Sequence, residues 1–371
     1  MDDITATSRP RFRRYLRVGL QGAVLCVLAS VLVLYFTVKA ETWTYLSRFD
    51  WSFAPLILVI VVIAWLCNGG RIFVNARALG HRLSYIQSLC VSLSMEFGIA
   101  ASPAGMGGAA IRLYLLKKAH VPLTTSASMM TADVAVDLTF FGILTPVAVY
   151  YLLRDQDLAG LLAAFPGPHL ALAAILVFGG AVVIVMFFQS GLWARVIHAI
   201  AHATPYGRRR RWPGRFRAFR AELRRSLRRS WLITRFLFRK RRWALLTNFG
   251  LATMQWLCRY GVLPLILLAF DTPRNPFPLV VIQGLLFLFA MAVFLPGGGG
   301  SVEVATAFIL GYFVPVPMVG IVLLFWRFAT YHLYLIGGGA TFFYVSGHLD
   351  RIFPEQPLPR PPPRQNQPGP V

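Results

Sequence analysis

Apolar residues dominate nine stretches of the chain, at 16–38, 53–74, 85–102, 125–153, 169–189, 243–270, 277–295, 302–314 and 316–346. A helix needs about 20 such residues to cross the hydrocarbon core of a bilayer. The runs 16–38, 53–74, 125–153, 169–189, 243–270 and 316–346 therefore each predict a spanning helix. The other three are shorter or broken, and all flank glycine clusters. The pattern predicts an all-α integral membrane protein, a polytopic helical bundle.

Two interruptions share one form. "SPAGMGGAAIR" places Pro103 and a glycine cluster between an apolar stretch and a second one bearing Arg112, and "FLPGGGGSVEV" does the same with Pro296 and Glu303. Proline ends a helix and disfavours helix at the residue before it. Glycine permits a tight reversal. The first half-helix should end at Ser102, and the second should begin at about Ala109 with Arg112 in its first turn. Each unit reads as a re-entrant helical hairpin, and the two enter from opposite faces as an inverted repeat. Paired broken segments of this kind point to a transport site near the midplane.

Charge sets the threading. Net charge is +23, but Lys and Arg gather in loops beside the spans, which marks the cytoplasmic side of a membrane protein and excludes a nucleic-acid partner. The tail 1–15 is basic. Arg71, Arg77 and Arg82 end the second span on the cytoplasmic side, and Lys117 and Lys118 close the first hairpin there. Residues 190–242 hold 17 Arg and Lys against Glu222 alone. Within them Phe216, Phe219, Leu223, Leu227 and Trp231 recur at helical spacing, as in an amphipathic helix on anionic headgroups. The domains expected are the tail 1–15, a membrane domain 16–346 enclosing the cytoplasmic loop 190–242, and a Pro-rich tail 347–371 with too little apolar content to fold.

Soluble domains carry roughly 25% charged residues; this chain carries 14%. Charges inside its apolar runs are therefore costly exceptions. Asp133 and Asp137 lie one turn apart, Asn248, Gln255 and Arg259 share a face, and so do Arg327, Tyr331 and Tyr334. Asn68, Arg71 and Asn75 form a similar stripe. A charge at the bilayer centre costs at least ~2.5 kcal/mol, so these side chains must be paired or hydrated. One arrangement pairs Asp133 or Asp137 with Arg259 or Arg327 as a structural clamp. The other is a hydrated central cavity binding a polar group through Arg112, Glu96, Gly105, Gly108, Asp133, Asp137, Arg259, Gly298, Gly300, Glu303 and Arg327.

Enzyme chemistry finds no foothold. The glycine clusters follow no strand, His198 and His202 lack the glutamate of a zinc hydrolase, and the four cysteines show no paired spacing. No cofactor or metal is expected. The first apolar run is too long for a signal peptide and reads as a retained span.

The stretch "SPAGMGGAAIRLYLLKKAHVPLTTSASMMTADVAVDL" and the later "FLPGGGGSVEVATAFILGYF", followed by the Arg327-bearing span, resemble the two signatures of the lysylphosphatidylglycerol synthase/flippase membrane region. The resemblance covers about residues 16 to 346. It implies an integral protein of the bacterial cytoplasmic membrane that moves lipids between leaflets, here without a soluble synthase domain. Two departures stand out. Val302 replaces an arginine common before the signature glutamate, and Asp133-Val134 lies where the family often carries a further arginine nearby. Both remove positive charge.

The leading function is translocation of a lipid or lipid-linked intermediate. A secondary transporter for a small polar solute and an accessory subunit of a lipid-pathway complex stand as alternatives. Membrane lipids with anionic headgroups are the expected partners, with lipid-pathway enzymes and further copies of the chain as candidates. The threading puts residues 8, 215 and 360 in the cytoplasm. Reporter fusions at all three should read cytoplasmic, and one external reading would break it.

Overall fold

The computed structural model describes residues 40–102, 105–154, 232–280 and 301–354, with isolated helical positions at 24, 28, 31, 32, 35, 225, 228, 229, 283, 284 and 286. Most of 16–38, the run 169–189, most of the loop 190–242, Pro103, Pro296, Gly298, Gly300, the tail 1–15 and residues 355–371 lie outside them, while 347–354, expected in the Pro-rich tail, are described.

The described residues form helices and no strand. In chain order these are α1 (Ala40–Ser47), α2 (Phe53–Ala78), α3 (Tyr85–Ala100), α4 (Met106–Lys118), α5 (Leu123–Arg154), α6 (Arg242–Ala269), α7 (Ser301–Phe313), α8 (Val316–Arg327), α9 (Leu333–Gly347) and the single turn α10 (Leu349–Ile352). A π-helical turn, Phe328–His332, joins α8 to α9. Four helical stretches are long and apolar enough to span: Phe53–Ala78, Leu123–Leu144, Arg242–Ala269 and Val316–Gly347. Each coincides with a run expected to cross. Lipid-facing side chains account for the many exposed apolar residues on them, such as Leu58, Val59, Val62 and Leu257.

α2 and α6 lie side by side and antiparallel. The Asp50 amide, just before α2, donates to the carbonyl of Ala269 at the end of α6 (2.9 Å). One apolar cluster fills this end, built on Ile57, Val61, Leu263, Ile266, Met318 and Val322. A second, with Ile72, Ala76, Leu83, Leu116, Met129, Val345 and Phe353, fills the other. That second cluster gathers the C-terminal end of α2, both open ends of the α3–α4 pair, the start of α5 and the end of α9. Exposed Arg77, Arg82, Lys117, Lys118 and Arg242 therefore share one end of the bundle.

α3 and α4 form a helical hairpin. Its turn uses Gly105 at φ 70°, a left-handed conformation that L side chains rarely adopt. Ser102 stitches the halves together: its hydroxyl donates to the Gly98 carbonyl (2.6 Å) and accepts from the Gly107 amide (2.7 Å). α3 ends at Ala100, slightly before the expected Ser102. α4 starts at Met106 rather than Ala109, which makes Arg112 its seventh residue. The expectation that Arg112 occupies the first turn is corrected, because helix resumes as soon as Gly105 completes the reversal.

Close approach fixes this hairpin. A Cβ on Gly98 would stand 2.7 Å from the Gly107 carbonyl carbon and oxygen, and one on Gly338 of α9 would stand 2.8 Å from the Phe97 amide nitrogen. Both contacts are with backbone, so relief requires moving a helix. Gly98→Ala and Gly338→Ala should each cost about 1–3 kcal/mol by overpacking, visible as a lower unfolding midpoint in detergent. Gly250→Ala, with nothing within 4 Å, should not lower it. Equal midpoints for all three would refute the close-packed hairpin.

Candidate functional site

Between the two apolar clusters the polar stripes converge. Arg71, on α2, is 3% exposed. Its Nε donates to Asn248 Oδ1 and its Nη1 to Gln255 Oε1, both at 2.9 Å and both on α6. Its Nη2 donates to the Asp133 backbone carbonyl (3.1 Å) and pairs with Asp137 Oδ1 at 2.9 Å and Asp133 Oδ1 at 3.8 Å. One guanidinium thus uses its whole donor fork to join three spans. Arg71, expected on the cytoplasmic rim, is corrected to the hub of the interior. The stripe Asn68–Arg71–Asn75 was legible in the sequence; the register that buries it was not.

Asp133 sits roughly 15 Å into α5 at 1.5 Å per residue. Its Oδ2 receives Arg112 Nη2 at 2.6 Å, while its Oδ1 accepts from Asn75 Nδ2 (2.8 Å) and Asn248 Nδ2 (2.9 Å). Arg112 therefore pairs with Asp133. Asp137, one turn on, also accepts from Trp256 Nε1 (2.9 Å).

Glu96, at the inner end of α3, accepts from Asn68 Nδ2 (2.9 Å) and pairs with Arg259 Nη1 at 3.6 Å. The Arg259 guanidinium lies 4.5 Å from the ring centre of Tyr334. A separate pair joins Glu303 on α7 to Arg327 at the end of α8, at 2.8 Å. Tyr331, in the π turn that follows, donates to the Ala100 carbonyl at the hairpin tip (3.0 Å). Single π turns frequently mark functional sites, and this one links the Arg327 pair to the α3–α4 hairpin.

The clamp expected between Asp133 or Asp137 and Arg259 or Arg327 is not what forms: the aspartates take Arg71 and Arg112, and the other two arginines take glutamates. Gly105 and Gly108 shape the hairpin. Arg71, Arg112, Arg259 and Arg327 balance Glu96, Asp133, Asp137 and Glu303, so the interior of the described residues carries no net charge. The segments that follow the two glycine clusters also exchange signs. The hairpin cation Arg112 meets an anion on the next span, and the α7 anion Glu303 meets a cation on the next. Side chains of Asp137 and Arg259 are 24% and 19% exposed, the most open members of the network.

Removing one partner of a buried pair costs about 3–5 kcal/mol, because the other charge is stranded. Arg71→Ala strands Asp137, which has no other cation partner among the described residues, and removes the donor shared by Asn248, Gln255 and the Asp133 carbonyl. Arg112→Ala, by contrast, leaves Asp133 with Arg71, Asn75 and Asn248. Arg71→Ala should therefore lower folded yield and unfolding midpoint more than Arg112→Ala does. The reverse order would remove Arg71 from the hub.

The polar interior lies within a recognised membrane region. A family model described as the lysylphosphatidylglycerol synthase TM region matches residues 21–338. A "UPF0104 membrane protein" of Archaeoglobus fulgidus is 21% identical over 319 residues, which cover 85% of this chain and 94% of that protein. With α3–α4, the Glu303–Arg327 pair and the spans between them inside the matched region, the chain belongs to the lysylphosphatidylglycerol synthase TM-region family of integral membrane proteins.

Proposed function

We propose that this protein moves a lipid or lipid-linked intermediate between the two leaflets of its membrane. The observation that carries this reading is the network of six buried and two half-buried charges in the helical interior of a chain of this family. Ionisable groups at such depth are rare, face a bundle interior or cavity, and accompany translocation paths.

α3 and α4 have 16 and 13 residues, or roughly 24 and 20 Å of helix, too short to cross about 30 Å of hydrocarbon. With both open ends at the basic end of the bundle, the hairpin enters and leaves by one face. That face is the cytoplasmic one, since the basic flanks collect there. Asp137 and Arg259 form the accessible rim through which a polar headgroup passes while its acyl chains stay in lipid. No nucleotide motif was found in the sequence, so movement is passive or ion-coupled.

Purified full-length chain in proteoliposomes should accelerate leaflet exchange of labelled lipid over empty vesicles. Asp137→Asn and Arg259→Gln, at the rim, should slow exchange by about tenfold, the weight of a charge-assisted hydrogen bond. Lys117→Ala, on the exposed end of α4, should not. Folded wild-type protein exchanging lipid no faster than empty vesicles would end this reading; solute uptake by the same vesicles would favour a small-solute transporter instead.

A further inference from the structure

The Glu303–Arg327 pair differs from the other buried pairs in what it leaves unused. Asp133 has donors on both carboxylate oxygens, and Glu96 has the Asn68 amide on one and the Arg259 guanidinium 3.6 Å from the other. Glu303 Oε2 has no hydrogen-bond partner, and it is the single buried carboxylate oxygen of that kind among the described residues. Arg327 Nε has none either, as is also true of Arg112 Nε, and the hydroxyl of Thr306 has none. All three residues are at least nine-tenths buried: Glu303 and Thr306 are 1% exposed and Arg327 6%. Glu303 and Thr306 are three apart on α7, so they share a face.

The hydroxyl is informative. Span threonines ordinarily settle onto the carbonyl one turn back, as Thr330 does with Trp326 (2.7 Å) and Thr341 with Gly337 (2.8 Å). Thr306 makes no such bond, and neither does Thr253 on α6; Thr306 alone of these two stands one turn from an unsatisfied carboxylate. An unmade hydrogen bond on a buried polar group costs about 1–3 kcal/mol, so an unused acceptor, donor and hydroxyl on three such residues point to a ligand.

The chemistry of that ligand follows from charge. Glu303 and Arg327 already neutralise each other. An ammonium brought to Glu303 would stand with Arg327 as a second buried cation, and a phosphate brought to Arg327 would add an uncompensated anion. A neutral group that both donates and accepts satisfies the trio without net charge: it gives its hydrogen to Glu303 Oε2, takes one from Arg327 Nε and exchanges with Thr306. Hydroxyl groups do this. The rings of Trp326 and Tyr331, 5.4 and 5.5 Å from the Arg327 guanidinium carbon, add apolar walls suited to the carbon face of a polyol or sugar.

We propose that Glu303, Thr306 and Arg327 form a subsite for hydroxyl groups, and that the cargo of this chain is a lipid with an uncharged, hydroxyl-bearing headgroup. This deepens the proposed function and rests on it.

The test reconstitutes the full chain into vesicles with labelled monoglucosyl-diacylglycerol, phosphatidylethanolamine and phosphatidylglycerol of equal acyl length. Leaflet exchange of each is measured, together with the lipid retained on the chain after detergent extraction. The glucosyl lipid should exchange at least about tenfold faster than either phospholipid, as the sum of two or more hydrogen bonds. Thr306→Val keeps the side-chain volume and should lower the glucosyl-to-phosphatidylethanolamine rate ratio about fivefold, the share of one hydrogen bond. A purely structural threonine would slow both lipids together and leave the ratio unchanged, which would overturn the subsite. Equal or faster exchange of either phospholipid by the wild type would overturn the headgroup assignment. If no lipid exchanges, translocation itself fails and retention decides the subsite. Glucosyl lipid held by the wild type and lost with Thr306→Val upholds it; indiscriminate retention removes it.

Discussion

Burial of Arg71 is the constraint from which the arrangement of this bundle follows. A guanidinium cannot shed its proton in a protein interior, so at 3% exposure it needs carboxylates and carbonyls on every side. Asp133, Asp137, Asn248 and Gln255 meet that need, and in doing so they fix the rotation of α2, α5 and α6 about their own axes. A turn of α6 by one residue would carry Asn248 and Gln255 toward lipid and leave Arg71 Nε and Nη1 without acceptors. Apolar side chains alone set no such register, because lipid tails are as apolar as leucine and give helices little reason to choose one rotation over another.

The hairpin is built by a different device. α3 and α4 meet through Gly98 and Gly107 at backbone distance, and Ser102 bridges their inner ends. Close contact brings the halves together, and charge then ties each outward: Glu96 to Asn68 and Arg259, and Arg112 to Asp133. The tip is held by Tyr331 from the π turn. A segment too short to span is thus attached to α2, α5, α6 and the last span through polar side chains and one backbone carbonyl. Such attachments can exchange partners without opening an apolar core.

Electroneutrality shapes what the interior accepts. Four cations and four anions are paired across the described helices. A net charge entering them meets a partner of its own sign beside every partner of the opposite one. The second unit carries this furthest, since Glu303 and Arg327 cancel each other while keeping an unused acceptor and donor. Val302, beside Glu303, is 4% exposed and apolar, which keeps that balance intact.

Much of this was legible in the residues. Runs of about 20 apolar positions determine helices that cross, and the four described long helices lie where those runs are. The glycine cluster after Ala100 determines a break, because glycine takes φ 70° at Gly105 without strain and lets Gly107 pack at backbone distance against Gly98. The i, i+3 and i, i+4 spacing also marked Asn68, Arg71, Asn75, Asp133, Asp137 and Arg259 as one-sided stripes. Pairing was decided only by tertiary structure. Spacing says that two residues share a face, and it carries nothing about which helix that face will meet. Arg71 stands near enough to the end of its run to resemble a solvated flank, and only the antiparallel placement of α6 turned Asn248 and Gln255 toward it. Thr306 gave no signal, since a lone threonine in an apolar run is ordinary. Its significance comes from what its hydroxyl does not touch, and only the packed helices define that.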